Sequence, residues 1–88
     1  MAELQVRNNL EAGRFELDLD GASAVLDYRI DDGRIVMAHT EVPAAHRGRG
    51  YGQLLARTAL SFAREQSLEV VPLCPFVSAF IKRHPELR

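Results

Sequence analysis

One cysteine in 88 residues, Cys74, cannot close a disulfide within the chain, and there is no CxxC pair from which a zinc site is built. The three histidines, His39, His46 and His84, are scattered without metal-ligand spacing, so no metal is expected. An excess of positive charge is missing as well. Eleven Lys and Arg stand against 12 Asp and Glu, a net charge of -1 that excludes a general basic coat for nucleic acid and leaves room only for a local patch. No apolar run approaches the ~18 residues of a membrane span, and no cationic leader with an apolar core opens the chain. The expectation is a reduced, cytoplasmic protein with no membrane partner.

What is present is the composition of an ordinary globular protein, 47% apolar and 26% charged. The chain is too short for two cores, so a single domain is expected over residues 1–88. Its first half has the period of strands. "RFELDLD" alternates Phe15, Leu17 and Leu19 against Glu16, Asp18 and Asp20, and Asp20-Gly21 supplies a hairpin turn. "SAVLDYRI" alternates Ala24, Leu26, Tyr28 and Ile30 against Ser23, Val25, Asp27 and Arg29, and Asp31-Asp32-Gly33 is a second turn. "RIVMAHTEV" follows, apolar on both faces at its start as for a strand covered on both sides. A short opening strand is expected around Leu4 to Val6, broken by Asn8-Asn9.

The second half changes period. Tyr51, Leu54, Leu55, Ala59, Phe62 and Ala63 form a helical stripe over about 50–67, and "LEVVPL" is a short buried strand stopped by Pro72. In "CPFVSAFIKRH", Phe76, Val77, Phe80 and Ile81 share one helical face; Pro75 suits the first helical position, which makes Cys74 the N-cap. Lys82, Arg83 and His84 fall in the last turn and Pro85 ends it. The order is β-β-β-β-α-β-α, an α+β domain.

Between the halves lies "RGRGYG". Gly48, Gly50 and Gly52 crowd a helix start, where each glycine costs backbone entropy, and an excess of them there is more than a turn requires. Glycines allow close approach of a ligand, and helix N-termini present unpaired N–H groups to anions, so a phosphate contact is expected, with Arg47 or Arg49 screening its charge. A P-loop needs GxxxxGK before Ser or Thr, and none exists. A dinucleotide fingerprint needs GxGxxG in a parallel unit, but Gln53 stands where its third glycine belongs.

Arg47, Gly50 and Gly52 match R-x-x-G-x-G, which resembles the pyrophosphate loop of the GNAT N-acetyltransferase superfamily. "HTEVP" as a strand end before the loop, "VVPLCPFV" after the helix and the "HPE" ending narrow the resemblance to minimal, stand-alone GNAT-like acetyltransferases, over about Phe15 to Pro85. The resemblance implies a small GNAT-like fold without the two helices that larger members insert after the first strand. It implies acetyl-CoA as acyl donor and an amine as acceptor, either a protein lysine or a small amine in an open site. It also implies that Val42, Pro43, Arg47, Gly48, Arg49, Gly50, Tyr51 and Gly52 hold the coenzyme. The resemblance further implies that the backbone near Val42 pairs with the pantetheine arm and that its N–H polarises the thioester carbonyl. Tyr51 has a second reading, as core, and Arg57 reads as surface.

Cys74 and His39 are the catalytic candidates. Cys74 is either a small buried hydrophobe or a thiol whose pKa the following helix lowers, near the coenzyme sulfur by the resemblance. In the second case it protonates the leaving thiolate, the favoured role, or carries the acetyl group. His39 is either a core histidine bonded to backbone or the base, with Glu41 on the same face as a weaker base candidate. Two alternatives to an enzyme stand beside this reading. One is a coenzyme A-binding module with little or no turnover; the other is a nucleic-acid contact through Arg47, Arg49, Arg57 and Arg64.

Overall fold

The computed structural model describes residues 5–87. Strand β1 (Val6–Asn9) pairs with β2 (Arg14–Leu19), which pairs with β3 (Ala22–Asp31), and β3 with β4 (Arg34–Glu41), all antiparallel. A single 3-10 turn (Ala44–His46) and the glycine loop lead into helix α1 (Tyr51–Glu65). The crossover through α1 returns β5 (Glu69–Pro72) parallel to β4, so the sheet runs β1-β2-β3-β4-β5 with β5 at its edge. Helix α2 (Pro75–Arg83) and a last 3-10 turn (Pro85–Leu87) follow. This is the expected α+β order.

The alternation in "RFELDLD" and "SAVLDYRI" is realised: Phe15, Leu17, Leu19, Ala24, Leu26 and Tyr28 are buried. Ile30 falls past the covered part of β3 and is 44% exposed. Against this face pack Leu55, Ala56, Ala59, Leu60 and Ala63 of α1, and Val77, Phe80 and Ile81 of α2, in one core. The buried stripe of α1 is rotated from the expected one. Ala56 and Leu60 are inside, while Leu54 is exposed because the helix is steered by the small residues that let it lie close on the sheet.

Three further expectations are corrected. Asn8 and Asn9 do not break the first strand: they belong to β1, where Asn8 accepts from the Tyr28 hydroxyl and Asn9 Oδ1 accepts from the Ala12 N–H at 3.1 Å. Leu4, the expected start of that strand, lies outside the described residues. β4 is covered on one side only, since both helices pack into the single core beneath Ile35 and Met37, and Val36 on the other side stays half-buried. β5 likewise is half-buried rather than buried, as befits an edge strand.

β4 carries the irregularity that matters most for the site. Tyr28 pairs with Met37 but Asp27 pairs with His39, so Ala38 is an extra residue with no partner, a β-bulge. Ahead of the bulge Ile35 and Met37 point to the helices; after it Thr40 does, opposite Leu26, while His39 and Glu41 join Asp27 and Val25 on the open face.

Candidate functional site

β4 and β5 stay paired only from Arg34–Glu69 to Met37–Pro72. Pro72 cannot extend the ladder as a donor, and the next two amides, Leu73 and Cys74, both bond to the Met37 carbonyl at 3.1 and 3.0 Å. The chain then turns into α2. The rest of β4, from Ala38 to Glu41, has no strand partner on that side among the described residues, only Cys74 against Thr40, which leaves a slot where the two strands part.

A cavity of about 570 Å³ lies where the slot opens, between the free end of β4, the loop and the starts of the two helices. Its walls are His39, Thr40, Glu41 and Val42 from β4 and its end, His46, Arg47, Gly48 and Gly50 from the loop, Tyr51, Gly52 and Gln53 from α1, and Phe76 from α2. Its size falls in the range of small-molecule sites, roughly 300–1,000 Å³. Of the residues expected at a coenzyme site, Val42, Arg47, Gly48, Gly50, Tyr51 and Gly52 are brought together here, and Pro43 and Arg49 stand outside the lining.

The loop explains its glycines in different ways. Gly48 and Gly50 have φ of 81° and 82°, a left-handed conformation that side chains disfavour. Gly50 is the N-cap of α1, and no side chain caps that helix, nor does any acidic residue sit in its first turn. The leading N–H groups of a 15-residue helix, with the positive end of its dipole, therefore face the cavity with no acidic side chain in their own turn. Gly52 differs: it is buried, and a Cβ there would lie 2.9 Å from the Phe76 ring. It is small so that the start of α2 can close against α1. Phe76 was expected to share the core face of α2; instead it is 40% exposed and walls the slot.

Arg47 turns back on the strand, its Nε donating to the Val42 carbonyl at 3.0 Å. That bond ties the loop to the end of β4. Of the other arginines in the nucleic-acid alternative, Arg57 lies over the Phe80 ring at 5.8 Å, and Arg64 donates to the Glu86 carbonyl at 2.9 Å. His46 packs 6.3 Å from the Tyr51 ring.

His39 is exposed on the open face and lines the cavity, so the core-histidine reading does not describe it. Cys74 is buried at the N-cap of α2, behind the wall rather than in it. Its Sγ donates to the Thr40 hydroxyl at 3.5 Å. Burial pushes this thiol up, but the Thr40 hydroxyl, the α2 amides of Val77 and Phe76, and the Thr40 amide outweigh it, and the net direction is below the ordinary thiol value. The two catalytic candidates thus flank one slot from opposite faces of β4. Thr40, between them, was not singled out by sequence reasoning: with strict alternation it would have faced away from Met37, and nothing in "MAHTE" announces the bulge.

Residues 14–88 match the family model described as GCN5-related N-acetyl-transferase. Among curated proteins, the chain is similar to Protein NATD1 of Gallus gallus, 38% identical over 85 residues, an alignment covering 93% of this chain and 77% of that one. Protein NATD1 of Homo sapiens is 36% identical over 85 residues, covering 93% of this chain and 75% of its own. The Danio rerio protein of the same name is 34% identical over the same length.

Proposed function

Because this chain belongs to the GCN5-related N-acetyltransferase family, we propose that it binds acetyl-CoA in the slot between β4 and β5 and transfers the acetyl group to an amine that arrives on the open face of the sheet. The observation that carries this reading is the uncapped, acid-free start of α1, with its left-handed Gly50, opening onto a cavity beside the unpaired length of β4.

A diphosphate fits that helix start because the helix already offers unsatisfied N–H groups and a positive dipole end. An extended amide-bearing arm fits the edge of β4 beyond Met37, which has no strand partner among the described residues. When bound, acetyl-CoA supplies a thioester whose carbonyl carbon is open to attack by an amine. Val42 lines the cavity, and in this reading its N–H serves as the oxyanion donor. His39, exposed at the slot, takes the proton of the arriving ammonium, with Glu41 beside it on the same face. Cys74, from the helix side, is the acid. Since β1 and β2 are joined by a short turn over residues 10–13, no helix among the described residues covers the open face there, and an exposed protein lysine can reach His39 as readily as a small amine.

Calorimetry with acetyl-CoA, followed by acetyl transfer to lysine-rich peptides, tests the reading. Binding with no transfer to any amine would leave a coenzyme-binding module; no binding would remove the proposal. Arg47→Ala should weaken acetyl-CoA binding by ~1–3 kcal/mol, the range of a lost charge-assisted hydrogen bond. Loss of the Nε tie to Val42 does not depend on salt, but the phosphate contribution does, so added salt should narrow the gap from wild type. A gap that does not respond to salt would restrict Arg47 to tying the loop.

A further inference from the structure

Thr40 is the polar side chain of β4 that the bulge turns toward the helices, and it does two things at once. It lines the slot, and its hydroxyl accepts from Cys74 Sγ at 3.5 Å. Cys74 itself is only 5% exposed and does not line the slot. A proton leaving that sulfur for the cavity has to pass its neighbour, and the neighbour on the slot side is a hydroxyl, which can accept one proton while giving up another.

We propose that Thr40 positions the Cys74 sulfur and is the route by which a proton passes from it into the slot. The proposal rests on the acetyl-transfer reading, in which a thiolate is released in the slot and needs a proton. The Cys74 S–H bond breaks as a new O–H bond forms on Thr40 Oγ1, while the hydroxyl's original proton goes to the released thiolate. The negative charge stays on Cys74 Sγ, and water later returns the proton by the same path. The charge left behind is received by the amides of Val77, Phe76 and Thr40. No ionised side chain contributes to the lowered Cys74 pKa. His39 and Glu41 of β4 point to the other face, Arg57 of α1 lies over Phe80, and Lys82 and Arg83 sit in the last turn of α2. Thr40 is therefore the side chain through which the sulfur can be tuned.

The test begins without any ligand. Cys74 is the only cysteine, so the ultraviolet absorbance of its thiolate against pH, with Cys74→Ser as the blank for tyrosine, reads this one group. Wild type should titrate below the free-thiol value of ~8.5. Thr40→Val, which keeps the shape and removes the hydroxyl, should move the titration up by about one pH unit, and Thr40→Ser should stay with wild type. In acetyl transfer, Thr40→Val should lower kcat by about tenfold or more with an unchanged KM for acetyl-CoA, and Thr40→Ser should recover it. A merely packing role would leave the titration where it is. Should Thr40→Val not fold, Thr40→Ala against Thr40→Ser decides the same question. Coincident titrations of wild type and the hydroxyl-free variant, in a protein that binds acetyl-CoA, overturn this proposal alone. Absence of calorimetric binding by wild type overturns the acetyl-CoA reading instead.

Discussion

Gly50→Val should reduce acetyl-CoA affinity by about 100-fold or more, roughly 2.7 kcal/mol, while the far-ultraviolet circular dichroism stays close to that of the wild type. Gly50 sits at φ 82° as the N-cap of α1. A β-branched residue there is a conformational outlier, and left-handed backbone costs an L-residue ~1–2 kcal/mol. The cheapest escape is for the loop to rotate out of that region, which swings the leading amides of α1 away from the cavity. The core pays little, because the nearest atom to a Cβ at Gly50 is the end of the Gln53 side chain at 3.6 Å. Gly52→Val makes a useful contrast. Its Cβ meets the Phe76 ring at 2.9 Å, so it should lower the denaturation midpoint as well as the affinity. Full affinity in a folded Gly50→Val protein would remove the pyrophosphate assignment.

Cys74→Ala should slow acetyl transfer by ~10²–10³-fold, within the range of a lost general acid, and leave acetyl-CoA binding measured by calorimetry nearly unchanged. The pH dependence carries the sign. A group that acts as an acid works only while protonated, and the Cys74 pKa is lowered. The rate should therefore fall as pH rises through that value, below the ordinary thiol range, and this falling limb should vanish in Cys74→Ala. If Cys74 instead carried the acetyl group, wild type incubated with acetyl-CoA alone would gain one acetyl mass, lost on adding an amine. Direct attack predicts no such species. Full transfer by Cys74→Ala would return the cysteine to core packing and make His39 the next residue to replace.

The elements were legible where local chemistry is insistent. Alternation marked β2 and β3, Asp20-Gly21 and Asp32-Gly33 marked the turns, and Pro75 after Cys74 marked the start of α2. The glycine loop was legible because so many glycines at one helix start have few other uses. What stayed hidden was set by contacts between distant segments. The faces of α1 differ by one position because Ala56, Ala59 and Ala63 settle against strands the helical period knows nothing about. Phe76 has the spacing of a core residue with Phe80, yet it closes over Gly52, some 24 positions earlier. The bulge at Ala38 left no trace in composition, and with it went the placement of Thr40.

That bulge also bears on how one short strand of so small a protein serves both faces of its sheet. One extra residue shifts the phase of β4, so that His39 and Glu41 take the open face and Thr40 the helix face, where unbroken alternation would have reversed them. The two faces are thereby linked as letters in one word: an insertion or deletion near Ala38 moves His39, Thr40 and Glu41 at once, and neither face can drift without the other.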